Sequence, residues 1–220
     1  MHKTVQNLIN IKNQISDNLN NLNINNQIKI IAVSKTFKLD KILPLIEHGH
    51  VDYGENKVQE AEKKWAELKK SVNNLKLHMI GRLQTNKAKK VVELFDYVHS
   101  LDSEKLANEL SKREKEKGKK LNYFIQINLG SEEQKGGVEI NNLEKFYDHC
   151  VNNLGLTVLG LMAIPPNDKN PEKYFKIISE LSNKFNFSHL SIGMSSDYLI
   201  AIKYKATFVR IGSAIFGSRN

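Results

Sequence analysis

The chain has 220 residues, a formal charge of +9, 40% hydrophobic and 26% charged residues, which is ordinary for a globular protein with one sizeable core. Its lone cysteine, Cys150, excludes an internal disulfide framework, fits a reducing compartment and reads as a buried structural thiol. The positive excess is nearly all lysine (Arg82, Arg113, Arg210 and Arg219 are the arginines), and its densest run, Lys112 to Lys120, alternates with Glu114 and Glu116 as on a solvated helix face, so charge is the sole argument for nucleic acid.

An amphipathic stretch from about Val5 to Leu22 predicts a first helix, and nothing before it resembles a signal peptide. No apolar run approaches the roughly 20 residues that cross a bilayer, so a cytoplasmic protein is expected. Short apolar runs follow at Ile28–Val33, Val51–Tyr53, Leu77–Ile80, Tyr97–Ser100, Tyr123–Asn128, Thr157–Met162, His189–Ile192 and Thr207–Ile211. They are rich in β-branched residues, as parallel strands buried on both faces should be. Between them lie helical patterns: Glu55 to Val72, Ser103 to Lys117 with a cap at Ser103 or Asp102, Asn141 to Val151, Pro171 to Phe185, and Ser195 to Tyr204. Eight strands alternating with helices predict one (β/α)₈ barrel domain over residues 1–220, with an open doubly wound sheet as the alternative. The nucleotide-binding glycine patterns of that alternative, G-x-G-x-x-G and G-x-x-x-x-G-K-[ST], do not occur.

Active residues of such barrels sit at the C-terminal strand ends. After the first strand comes Ser34-Lys35-Thr36. A neutral lysine amine attacks carbonyls, but from this residue alone a lysine snorkelling out of the barrel is the better reading. Asn56, after the second strand, either caps a helix or meets a ligand beside Lys35. His78 reads as a satisfied core histidine, and no histidine spacing matches a metal site. Gly193-Met194-Ser195-Ser196-Asp197 follows the seventh strand and Gly212-Ser213 the eighth, two Gly/Ser clusters where barrels bind phosphate. Simple N-capping by Ser195 or Ser196 is the plainer alternative. Arg210, near the end of the last apolar run, needs a partner. An amine at strand one and an anion cradle at strands seven and eight would span a phosphorylated carbonyl compound, either a sugar phosphate or pyridoxal phosphate.

Six segments in order resemble the YggS/PROSC family of pyridoxal phosphate homeostasis proteins. They are Ala32 to Thr36, Tyr53 to Glu60, His78 to Lys87, Gly160 to Ile164, Leu190 to Asp197 and Val209 to Gly217. The resemblance implies a barrel like the N-terminal domain of alanine racemase, with pyridoxal 5′-phosphate held as a Schiff base on Lys35. It implies that Ser195, Gly212 and Ser213 hold the phosphate with Met194 and Ser196 close by, that Arg210 faces the pyridine nitrogen, and that Asn56 lines the pocket. Three positions depart from the family pattern. Lys57 stands where an aromatic residue is common, Gly136 occupies the middle of the usual Lys-Ser-Gly at Lys135-Gly136-Gly137, and Lys205 replaces a glycine.

An arginine at the pyridine nitrogen can only donate, leaving that nitrogen unprotonated and the ring a weak electron sink. The racemases also use a tyrosine from a C-terminal domain of the partner subunit, for which this sequence has no counterpart. The resulting expectation is a monomeric, non-catalytic carrier that stores pyridoxal phosphate and delivers it to apo-enzymes. An amino-acid racemase is the alternative, and a Schiff-base aldolase is disfavoured.

Overall fold

The computed structural model describes residues 1–130, 136–166 and 170–218; Lys135 and Arg219 lie outside the described residues. Eight strands close into a parallel barrel in sequence order, with β8 returning to pair with β1. They are β1 (Lys29–Val33), β2 (Asp52–Glu55), β3 (Lys76–Met79), β4 (Tyr97–Leu101), β5 (Asn122–Gln126), β6 (Thr157–Met162), β7 (His189–Met194) and β8 (Phe208–Ile211). The alternation of apolar runs and amphipathic stretches therefore resolves as a closed barrel, and the open-sheet alternative falls.

The helices are α1 (Lys3–Asn21), α2 (Leu39–Glu47), α3 (Val58–Trp65), α4 (Leu68–Ser71), α5 (Ala88–Leu94), α6 (Glu104–Lys117), α7 (Leu143–Asp148), α8 (Pro171–Lys184), α9 (Tyr198–Lys203) and α10 (Ser213–Phe216). The single helix predicted over 55–72 starts only at Val58, because β2 keeps Glu55 in the sheet, and it divides into α3 and α4 at Ala66 and Glu67. The helix predicted over 141–151 ends in a π-turn, His149–Asn153, which buries Cys150. Burial pushes that thiol up to about 12, which fits a structural role. Pro171 opens α8 as predicted, whereas Ser103 occupies the N-cap of α6 without a side-chain cap bond. One residue of the lysine-rich run departs from the solvated face. Glu114 is buried and accepts from the Leu121 N–H at 2.6 Å and the Tyr123 hydroxyl at 3.0 Å.

Two apolar clusters hold the fold. The larger one lies between barrel and helices and includes Leu8, Ile42, Trp65, Phe95, Leu110, Phe175 and Ile178, all essentially excluded from solvent. The smaller one, Ile31, Phe124, Met162 and Phe208, fills part of the barrel interior. The rest of that interior is polar, with His78, His99, Ser191 and Arg210 all buried. Gly160 is required where β6 meets β7, because a Cβ there would lie 1.7 Å from the His189 carbonyl oxygen.

Candidate functional site

β1 ends at Val33, and the chain turns through Lys35, which is half-buried. That turn is gripped from both sides. The buried Glu55 carboxylate accepts from the Ser34 hydroxyl at 2.7 Å, the Trp65 indole N–H at 3.0 Å and the Lys64 ammonium at 2.9 Å. Lys64 also donates to the Ser34 carbonyl at 2.8 Å and to Glu60 at 3.1 Å. Glu60 in turn accepts from the Thr36 N–H at 2.5 Å. Thr36 sits at φ +69°, a left-handed conformation that costs a non-glycine residue about 1 kcal/mol or more. Lys64 and Glu60 thus hold the backbone before and after Lys35, and Glu55 holds the Ser34 side chain. Sequence reading missed them: Lys64 looks like any helical surface lysine, and Glu55 falls just past the apolar run that marks β2.

Asn56 follows β2, and Gly81 packs against its backbone so closely that a Cβ there would lie 2.4 Å from the Asn56 carbonyl oxygen. The N-cap of α3 is Lys57, without a side-chain cap bond, so Asn56 does not cap that helix. Its Oδ1 is buried and has no hydrogen-bond partner among the described residues. Lys35 and Asn56 line a common cavity of about 390 Å³ with Ile80, Gln126 and Ile164, a volume within the roughly 300–1,000 Å³ of small-ligand sites. A larger cavity of about 1010 Å³ adjoins it across Asn56, Gly81 and Arg82, with Lys57 in its lining.

Closure of the barrel brings the other candidates to the same end. β8 pairs with β1 through Ala32 and Ile211, and Gly212 approaches Val33. Met194, half-buried at the end of β7, is in register with Arg210. The N-cap of α9 is Asp197, which accepts from the Met194 N–H at 2.6 Å, so neither Ser195 nor Ser196 caps that helix. Ser195 instead turns toward the β8 loop, where its Oγ accepts from the N–H groups of Gly212 and Ala214 at 3.1 and 3.3 Å. Two backbone donors thus converge on one oxygen. Ser196 and Ser213 are exposed beside it.

Arg210 is buried, and desolvation pushes its guanidinium down to about 10, which leaves it charged at neutral pH. It donates through Nη1 to the Ser191 carbonyl at 2.6 Å and hydroxyl at 2.7 Å, and through Nη2 to the Ala163 carbonyl at 2.9 Å. The direct partners that sequence demanded for this charge are therefore acceptors on β7 and just after β6, with the Asp197 carboxylate near enough to favour the charged form. His78 is a satisfied core histidine, as predicted, bonded to Asp52 and His99. No group of metal-ligating side chains occurs among the described residues.

The family model for the alanine racemase N-terminal domain matches residues 10–220. The pyridoxal phosphate homeostasis protein of Aquifex aeolicus is 42% identical over 200 residues, covering 87% of each chain. The chain belongs to the family of pyridoxal phosphate homeostasis proteins. The Escherichia coli member is 35% identical over 203 residues, covering 88% of this chain and 87% of its own. PipY of Synechococcus elongatus, solved with pyridoxal phosphate bound, superimposes with a TM-score of 0.79 at 32% identity, covering 92% of this chain and 100% of PipY. The alanine racemase of Clostridium difficile shares the fold at a TM-score of 0.68 and 17% identity, with the chain spanning 57% of the racemase. Two departures from the family pattern have structural accounts. Lys205 adopts φ +65°, a conformation a glycine takes without strain. At Gly136 a Cβ would come within 2.9 Å of Asp102 Oδ2.

Proposed function

We propose that this protein binds pyridoxal 5′-phosphate covalently through Lys35, as a Schiff base, and serves as an intracellular carrier of the cofactor. When bound, the cofactor supplies an aldehyde that condenses with a primary amine and releases water. The protein's own groups suit that partner. The clamped turn holds the Lys35 amine at the cavity. The Ser195 oxygen marks a spot where the Gly212 and Ala214 N–H groups meet one acceptor, the demand a phosphate oxygen makes. Ser195, Gly212 and Ser213 would hold the phosphate, with Met194 and Ser196 beside them. The orphaned Asn56 Oδ1 is a buried acceptor awaiting a donor. Arg210 would face the pyridine nitrogen.

The observation that carries this reading is the clamp, because three charged side chains invested in one turn need a reason at Lys35. An arginine cannot surrender its proton to the pyridine ring, which favours storage and delivery to apo-enzymes over turnover. The names of the relatives agree, being those of homeostasis proteins. The buried thiol of Cys150 fits a reducing cytoplasm. No helix among the described residues is long and apolar enough to cross a membrane. We take the working form to be a monomer, a state that sedimentation checks directly.

The visible spectrum after incubation with pyridoxal phosphate tests the proposal. Wild type should develop an imine band that Lys35→Ala lacks. A band of equal strength in the variant would refute it. Racemisation of alanine or serine at ordinary enzymatic rates would refute the carrier role while leaving the attachment intact.

A further inference from the structure

The barrel interior, where apolar side chains ordinarily pack in layers, holds a continuous polar chain. His78 Nε2 lies 2.9 Å from Asp52 Oδ1, and His78 Nδ1 lies 3.0 Å from His99 Nε2. His99 Nδ1 lies 2.9 Å from Ser191 Oγ, which lies 2.7 Å from Arg210 Nη1. Five residues from β2, β3, β4, β7 and β8 are thereby joined. Both imidazoles are fully buried, His78 stacked on Tyr97 and His99 on Phe124.

The two ends dictate the protons between them. A guanidinium only donates, and a carboxylate only accepts. A neutral imidazole has one donor and one acceptor nitrogen, and burial keeps both rings neutral. Arg210 therefore donates to the Ser191 oxygen, whose hydroxyl donates to His99 Nδ1. His99 Nε2–H donates to His78 Nδ1, and His78 Nε2–H to Asp52. Every other order sets two donors or two acceptors face to face.

We propose that Asp52, His78, His99 and Ser191 are positioning residues for Arg210. They form a relay of fixed proton order, with both histidines as Nε2–H tautomers, connecting the guanidinium by hydrogen bonds to the Asp52 carboxylate across the barrel. The relay holds charge and does not conduct it, since a guanidinium at one end cannot pass a proton on. Arg210 is locked through Nη1, while its Nε–H and one Nη2–H stay uncommitted among the described residues. Only the consequence for a bound pyridine ring rests on the pyridoxal phosphate reading.

Nitrogen-15 spectra of histidine- and arginine-labelled protein without cofactor test the relay. Both buried rings should report neutral Nε2–H tautomers at neutral pH; an imidazolium or an Nδ1–H tautomer at either would overturn it. Ser191→Ala should speed exchange of the Arg210 guanidinium protons about 10-fold, the loss of one hydrogen bond to a charged group. Ser100→Ala, an equally buried truncation on β4 whose hydroxyl has no partner among the described residues, should leave it unchanged. Equal effects in the two variants, or none in either, would reduce the chain to ordinary packing. With cofactor loaded, Ser191→Ala should also shift the visible band, and Ser100→Ala should not. Absence of a band in loaded wild type would refute the covalent site, while the tautomers would still decide the relay.

Discussion

The two ends of β1 each carry a lysine, and the fold treats them differently. Lys29 opens the strand. Its Nζ lies 3.9 Å from Asp52 Oδ1 and over the rings of Tyr97 and Phe208, at 5.4 and 5.1 Å. Those contacts satisfy a partly exposed cation and ask nothing of its backbone. Lys35 follows the strand, and there the protein fixes the turn with Glu55, Lys64 and Glu60 and lines a cavity with the side chain. A lysine at a strand end is thus uninformative by itself. What distinguishes Lys35, the proposed reactive lysine, from Lys29 is that neighbouring residues orient its turn.

The sharpest way to break this comparison is to remove each lysine in turn. Lys35→Ala should abolish covalent uptake of pyridoxal phosphate, and Lys29→Ala should retain it, as read from the visible band. The clamp comes next. Glu55→Gln leaves the Lys64 ammonium, whose side chain is 9% exposed, without its buried counter-charge. Breaking a buried pair on one side costs roughly 3–5 kcal/mol; Glu60 keeps its bond to Lys64 and lowers that cost, so the urea midpoint should fall by less than this, and the rate of imine formation with it. An unchanged midpoint would mean that the clamp is ornamental.

Acid should attack the floor before the mouth. His50 donates to the Asp52 carbonyl and is pushed down by burial, from its ordinary 6.5 to about 4, although Asp52 opposes the shift. The unfolded chain therefore binds a proton that the folded chain refuses. Stability is full above pH 6.5 and is lost as pH falls toward 4, by roughly 3 kcal/mol from His50. His78 and His99, also depressed by burial, act in the same direction. A denaturation midpoint flat from pH 7 to pH 4 would contradict their neutral burial. The smallest effect lies in the turn that leads into β8. Lys205→Gly should relieve a φ of +65° and raise stability by about 1 kcal/mol, visible as a small rise in Tm.

Much of the barrel was legible because parallel strands buried on both faces leave apolar runs whose spacing survives in the sequence. Their ends were less so. Glu55 continues β2 beyond the run that announces it, since its carboxylate is paid for by Lys64 and Trp65 from a helix ten residues on. The candidate residues Lys35, Asn56, Ser195 and Arg210 were nameable from position, and the structure brings them to one end of the barrel. Their partners were not. The route from Asp52 to Arg210 links β2 to β8 through side chains 19 to 92 positions apart, and no local pattern encodes such a path. Ser195 shows the same limit, because it caps the helix after β8 rather than its own.

The most direct measurement is a peptide map after borohydride reduction of protein incubated with excess pyridoxal phosphate. The reduced pyridoxyl group should be found on Lys35, and Lys29 should remain bare. A map in which Lys35 is unmodified while other lysines carry the label would contradict the central claim.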